Sequence, residues 1–436
     1  MGGLQYAGLI VPILLILVAL EYYVSRRKGV QVYSLEDTLV NACCGMLERL
    51  FDFFWVIMMY FIFAWLYENV APWQVPNNPA TWFVGLLIGD FLAYWHHRLS
   101  HEINFMWAAH IVHHQSEELN MTTVFRVSAF AVINRAFFWI WMPILGFDPV
   151  MTTSVIVFIG LYQFVSHTRL IGKMGVLEKF MVTPSHHRVH HARNEKYLDM
   201  NYGHVFIIWD KMLGTFREEE EEPDFGITTG FESSSPYRAY FFYWTDLFRR
   251  AKEATHWQDK IRIFLKPPSW NPEGAESTPA EFTVDENGKR RKYVAKTPFR
   301  LQLYIFFSVF LTMIGFISLL LIKKTFELPS VGELLASPQI LALTVLVTYS
   351  VFAHGVILER KRWALWADYI RLALWAVCIP ILLWNIPFSI LSMVGAYLLL
   401  AVFAIWLIRM RNFFDSKEES QREFQAAVAP HRASVR

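Results

Sequence analysis

The chain has 436 residues, of which 54% are hydrophobic, 17% aromatic and only 18% charged. The apolar residues sit in blocks, which excludes a disordered chain, a coiled coil and a collagen-like repeat. A net charge of +2 with no basic stripe gives no reason to expect a nucleic-acid partner.

A bilayer-crossing helix needs about 20 mostly apolar residues. Nine segments qualify in chain order: 4–24, 51–67 with a polar approach from Thr38, 81–95, 129–147, 151–167, 301–322, 338–358, 363–383 and 386–410. The first lacks the basic start of a cleavable signal and is followed by more spans, so it reads as a span. Lys and Arg predict orientation. Arg26, Arg27 and Lys28 follow the first span, Arg98 and Arg126 border the loop after the third, and Arg360, Lys361 and Arg362 follow the seventh. Arg409 and Arg411 follow the ninth, whereas the opposite loops 70–80, 146–150 and 384–387 carry neither residue type. Only Lys323 and Lys324 dissent. The pattern predicts an outer N-terminus, with the histidine-rich region and the C-terminus facing the cytosol. The expected organisation is N-terminal spans over 1–80, a histidine-bearing core over 81–216, a cytosolic segment over 217–300, C-terminal spans over 301–411 and a flexible tail over 412–436. An acidic run over 218–222 reads as a solvated loop. Cys43, Cys44 and Cys378 lie in apolar stretches without metal-type spacing, so neither a disulfide framework nor a cysteine zinc site is expected.

Twelve of the 15 histidines fall between His96 and His204, about a quarter of the chain, where an even spread would place about four. His97 and His101 are one helical turn apart, on a stripe with Asp90 and Tyr94. His110, His113 and His114 form an H-x-x-H-H element, repeated 77 residues later as His187, His190 and His191. Thr183 and Pro184 are placed as the N-cap and first residue of a short helix under the second element. His167 stands alone at the cytosolic end of the fifth span. Any single histidine has a bland reading, but eight or nine at one membrane depth predict a metal site, and they exceed the shell of one ion. Two metals are therefore expected, and imidazole suits iron, zinc, copper or nickel. Asp90, an acid in an apolar span, is expected to accept an N–H from a ligand histidine, or else to bond a neighbouring span. His96 and His186 point away from the ligand face. His256, His354 and His431 read as incidental.

Other metal-site classes fit poorly. His101-Glu102 begins an H-E-x-x-H zinc-protease pattern, but position 105 is Phe105. The E-x-x-H pairs of carboxylate di-iron bundles are matched only by Glu253 and His256. A transporter places polar ligands near the bilayer midplane, whereas these histidines gather at one face.

The histidine pattern resembles the membrane fatty acid hydroxylase/sterol desaturase superfamily, over Asp90 to Phe216. The strongest matching words are His97-Arg98-Leu99-Ser100-His101-Glu102, Met106-Trp107-Ala108-Ala109-His110 and Thr183 through His191, followed by Asn201-Tyr202-Gly203 and Ile207 through Phe216. These words and the extra spans after the cytosolic segment are similar to the ether-lipid branch. The resemblance implies His97, His101, His110, His113, His114, His187, His190 and His191 as iron ligands, with His167 as a ninth. It implies two iron ions and O2 as cofactors, a membrane lipid as substrate, and tetrahydrobiopterin or another electron donor. His204 departs from the pattern, standing where a glycine is expected.

The fold this implies is all-α and polytopic, an integral membrane protein of the endoplasmic reticulum or bacterial inner membrane with a cytosolic histidine-rich helical cap over the spans. The activity it implies is an iron-dependent monooxygenase that hydroxylates the carbon beside the ether oxygen of an alkylglycerol lipid, releasing a fatty aldehyde and a glycerol derivative. Hydroxylation or desaturation of a fatty acyl chain or sterol is the alternative within the superfamily. A metal-binding membrane protein without catalysis is the alternative outside it. Glu102, off the ligand stripe, reads either as a surface carboxylate paired with a nearby cation or as an acceptor for the N–H edge of a pterin.

Overall fold

The computed structural model describes residues 3–272, 282–284, 286, 290–293, 297–322, 332, 336–384 and 389–415. Lys323, Lys324 and the tail beyond Asp415 lie outside the described residues. Among the described residues the chain is helical, with isolated bridges in place of strands. The helices are α1 (Gly3–Lys28), α2 (Leu35–Asn69), α3 (Pro79–Glu102), α4 (Asn104–His114), α5 (Ala131–Trp139), α6 (Trp141–Ile144) and α7 (Pro149–Ser166). Then come α8 (Pro184–His191), α9 (Ile208–Leu213), α10 (Pro236–Glu253), α11 (Trp257–Leu265), α12 (Phe299–Ile322), α13 (Pro338–Leu358), α14 (Ala364–Leu383) and α15 (Ser389–Arg409). The protein is an integral membrane protein. Helices α2, α7, α13, α14 and α15 are long and apolar enough to cross a bilayer.

The frame that positions the histidines is the pair α3 and α7. Each starts with a side-chain cap and a proline that needs no hydrogen-bond acceptor. Asn78 and Thr81 make a reciprocal capping box before Pro79. Asp148 Oδ1 accepts the amides of Val150 and Met151 at 2.8 and 2.9 Å around Pro149. The two starts lie at the same end of the molecule, because Val75 N–H donates to Gly146 O at 2.8 Å. The helices then run in close contact through the small residues Gly85 and Gly89. A Cβ on Gly89 would meet Val155 Cγ1 at 2.5 Å. At 1.5 Å per residue, His97 and His167 both lie about 27 Å from these starts.

The expected span over 129–147 is instead two short helices, α5 and α6, of 9 and 4 residues. Pro143 has no N–H to donate to the carbonyl of Trp139, so the helix breaks between them. The pair rises only about 20 Å, against a hydrocarbon core of about 30 Å. It still ends at Gly146, beside the loop that precedes α3.

The C-terminal helices share one core with the rest of the chain. Leu39 and Cys43 of α2, Ile111 and Val112 of α4, and Leu247 of α10 pack with Tyr304 of α12, Val347 of α13 and Ala367 of α14. A buried polar contact ties α12 to α14, where Arg371 Nη2 donates to the Tyr304 hydroxyl at 2.9 Å. All three cysteines are free and buried.

Candidate metal centre

Nine histidines converge where α3, α4, α7 and α8 meet. Their ligating nitrogens form two groups, each with its atoms within 4.8 Å of one another. One group is His97, His101, His110, His114 and His190; the other is His113, His167, His187 and His191. The helical repeat explains the division. Residues i and i+4 stay on one face, whereas i+3 points about 100° away from i+4. So His110 and His114 share a centre and His113 turns to the other, while His187 and His191 share that second centre and His190 turns back to the first. Each H-x-x-H-H element thus serves both centres.

Protein contacts fix the tautomers. A carbonyl oxygen only accepts, so a ring nitrogen bonded to one must carry the proton. His97 Nδ1 donates to Tyr202 O at 2.8 Å, His167 Nδ1 to Gln163 O at 2.6 Å and His190 Nδ1 to Met200 O at 3.0 Å. His101 Nδ1 donates to the Asp199 carboxylate at 3.2 Å. In all four rings Nε2 is left with a lone pair aimed inward. His101 Nε2 and His190 Nε2 are buried without any protein partner. His167 Nε2 stands 3.1 Å from His113 Nε2 and 2.9 Å from His187 Nε2, and His97 Nε2 stands 3.1 Å from His110 Nε2. Nitrogens about 3 Å apart have the spacing of adjacent ligands on one ion with bonds of about 2.1 Å. Burial holds His110, His113, His114, His187, His190 and His191 well below the usual imidazole range, and neighbouring histidines lower them further. Neutral imidazoles with orphaned lone pairs are what two metal ions require, so the residues present fit the group.

The supporting shell is a loop over 199–206. Asp210 holds it by accepting the amides of Tyr202 and Gly203 at 2.7 and 2.8 Å and the Thr215 hydroxyl at 2.7 Å. Burial pushes Asp210 up to about 6, against the pull of these donors. The loop is so close to Asp210 that a Cβ on Gly203 would meet its Oδ2 at 2.7 Å. Asp90 differs from the expectation that it bonds a ligand histidine. It accepts Val205 N–H at 2.8 Å, Phe206 N–H at 3.0 Å and the Trp209 indole N–H at 2.9 Å. It sits about two turns before His97 on α3, so it reaches the far end of the loop rather than the ring.

The acidic run also differs in part from a solvated loop. Glu219 is only 16% exposed and takes the Arg188 guanidinium on both oxygens, at 2.7 and 2.6 Å. Arg188 lies between the candidate ligands His187 and His190, so this pair clamps α8 from outside. His186 closes the α8 capping box, its Nδ1 accepting Thr183 N–H at 3.4 Å. His96 packs on Phe138 of α5. His204 lies outside both groups, its ring 4.9 Å from that of His97. Its Nδ1 is buried and unpartnered, and burial pushes it down to about 4. Glu102 is 41% exposed and accepts Arg98 Nε at 2.8 Å. Asp199, Gln163, Asp210 and the Arg188–Glu219 pair were not singled out by spacing. The words Asn201-Tyr202-Gly203 and Trp209-Asp210 were the available signal for Asp210.

A family model described as fatty acid hydroxylase matches residues 82–215. Alkylglycerol monooxygenase of Homo sapiens is 33% identical over 303 residues, covering 69% of this chain and 68% of its own length. The protein of the same name from Xenopus tropicalis is 31% identical over 362 residues, 82% of this chain and 78% of its own. An ornithine lipid hydroxylase of Rhizobium tropici is 33% identical over 151 residues, 33% of this chain and 45% of its own. No solved structure matches the chain.

Proposed function

The chain belongs to the fatty acid hydroxylase family and is a lipid monooxygenase, and on that footing we propose that it oxidises the carbon beside the ether oxygen of an alkylglycerol lipid. The observation that carries this reading is the pair of buried imidazole groups, five and four strong, in a chain similar over most of its length to alkylglycerol monooxygenases.

Bound iron in these groups would supply the oxidising power to place one atom of O2 in a C–H bond. The chain's own part is to hold the ions and exclude water. Tyr202 O, Gln163 O, Met200 O and Asp199 keep four Nδ1 protons in place, so the Nε2 lone pairs face inward. Burial disfavours the charged form of the histidines on α4 and α8, which keeps their nitrogens available to a metal. Overall, the substrate CH2 becomes CH(OH), the second oxygen atom leaves as water, and two electrons and two protons come from a donor such as a tetrahydropterin. The product is a hemiacetal, whose C–O bond breaks to give a fatty aldehyde and a free glycerol hydroxyl. The charge bias of the loops supports a cytosol-facing site, where such a donor is found.

The test is oxygen uptake and fatty aldehyde release by membranes containing the protein, with an alkylglycerol and a tetrahydropterin. Aldehyde formed in proportion to oxygen consumed supports the reading. The Rhizobium tropici relative favours a second one, hydroxylation of another polar lipid. Lipid profiles of cells with and without the protein separate them: accumulated ether lipids select the first and lost hydroxylated chains the second.

A further inference from the structure

Two histidines that lie near the metal groups but outside them have a visible structural duty. His186 closes the α8 capping box and His96 packs on Phe138. His204 has no such duty. Its ring lies 4.9 Å from that of His97, and its Nδ1 is buried without a partner, although a buried polar atom normally has one. The residue as a whole nevertheless keeps some accessible surface. A ring in this condition, set against a candidate ligand, is available to whatever binds beside the groups.

The backbone of His204 is held from two helices. Gln163 Nε2, on α7, donates to His204 O at 2.6 Å, while Gln163 O accepts from His167 Nδ1. Asp90, on α3, accepts the next amide, Val205 N–H, at 2.8 Å. Val205 itself packs with Phe63 of α2, Ala93 of α3 and Val155 of α7. Gln163 comes one turn before His167, and Asp90 about two turns before His97. Both helices reach their histidines from the apolar bundle, so His204 lies on the membrane side of the groups. It is also close to both of them. Beyond burial, the larger cause, His204 helps to hold down His97 and His190 of one group and His113 and His187 of the other. A polar ring thus stands where the apolar packing ends and the two groups begin.

A lipid lying among the spans must bring its reacting carbon to the groups from this side. In an alkylglycerol that carbon is bonded to the ether oxygen, which has lone pairs and no proton and so can only accept. A neutral imidazole always carries one N–H to donate. We propose that His204 donates its ring N–H to the ether oxygen of the bound lipid and thereby fixes which carbon faces the two groups. This rests on the ether-lipid reading and names the residue that recognises the oxygen. An all-carbon chain has nothing to accept the bond, so the contact tells an ether from a hydrocarbon of the same shape.

The test measures binding without turnover. The full metal-loaded chain in lipid nanodiscs, without a reductant, is given a fluorescent alkylglycerol. An alkylglycerol and its analogue with CH2 in place of the ether oxygen then compete for the site. The quantity read is the ratio of the two affinities, and comparing that ratio between wild type and variant cancels the analogue's greater partition into lipid. From wild type to His204→Leu the preference for the ether should fall about three- to tenfold, the worth of one neutral hydrogen bond. His204→Gln restores an N–H and should recover part of it. Metal content should stay unchanged in both variants, because His204 belongs to neither group. With a reductant supplied, His204→Leu should release less aldehyde per O2 consumed, since the carbon is no longer held in place. An affinity ratio that His204→Leu leaves unchanged overturns the proposal. Loss of an ion in that variant also overturns it and makes His204 a further ligand. If His204→Leu fails to insert in the membrane, His204→Ala, which needs no more room, decides by the same ratio. Aldehyde from the wild type with an unchanged ratio removes the contact and leaves the ether-lipid reading; a lost preference with no aldehyde from the wild type does the reverse.

Discussion

His113 and His114 are neighbours in the chain with ring centres 5.6 Å apart, yet they fall in different histidine groups. His113 Nε2 lies 3.1 Å from His167 Nε2 and His114 Nε2 lies 3.1 Å from His110 Nε2. Adjacent residues on a helix diverge by about 100°, so a pair of consecutive histidines can only bridge two sites, not reinforce one. Helices α4 and α8 each use this divergence once. Both groups therefore draw histidines from the same two short helices.

Single-ligand removal should therefore separate the centres. His187→Ala takes a ligand from the four-histidine group and His190→Ala from the five-histidine group. Each should lower activity well over tenfold. Metal analysis of the purified variants should show His187→Ala losing close to one ion per chain, with His190→Ala retaining more because four ligands remain. Full metal occupancy and wild-type turnover in either variant would remove that residue from the ligand set.

Acid should release the metals and destabilise the fold. The histidines of α4 and α8 are held well below the usual range by burial. The unfolded chain takes up protons below about pH 6.5 and the folded chain does not. Their contribution is thus complete above that value and is lost progressively as pH falls below it. Thermal melting of the metal-free protein and metal release should both show the loss between about pH 7 and 5. A flat profile over that window contradicts this account.

Asp90→Ala should damage the site without touching a ligand. It strands three donors, the amides of Val205 and Phe206 and the Trp209 indole. At about 1–3 kcal/mol for each stranded group, destabilisation of roughly 3 kcal/mol or more is expected. Because the same loop presents Tyr202 O to His97, metal should leave the five-histidine group first. Unchanged melting and metal content would mean that the loop is held without Asp90.

Glu102→Gln tests the reductant side. Glu102 is paired with Arg98 but remains 41% exposed, and the variant exchanges one acceptor for a donor. If a pterin docks there, its apparent affinity should fall about tenfold to a hundredfold with metal content unchanged. Loss of metal instead would assign Glu102 to support of the centre. Wild-type kinetics would leave it as the partner of Arg98 alone.

Topology is checked by cysteine labelling. Asn77 lies in the loop before α3 and Asn194 in the cap just after α8. Single cysteines placed there in a chain without reactive cysteines should label from opposite faces of sealed vesicles. Labelling of both from one face would overturn the orientation drawn from Lys and Arg.

Sequence alone determined the helical class and the membrane character and singled out the nine histidines that the fold gathers into two groups able to hold a metal ion, because each rests on residue type or on local spacing. The i, i+3, i+4 periodicity placed His97, His101 and the two H-x-x-H-H elements on helices, and Thr183 with Pro184 placed the start of α8. Spacing within one helix did not say which rings meet across helices. The division into five and four follows from how α4, α8 and the ends of α3 and α7 cross, and that crossing is set by contacts such as Gly89 on Val155. The same holds for Asp90, whose partners lie more than 110 residues away along the chain. It also holds for Arg188 on Glu219, whereas the break between α5 and α6 follows from Pro143, a local signal. A helix's periodicity is local and survives in the sequence. A buried charge's partner or a cavity's walls are chosen by long-range packing, so only the tertiary structure decides them.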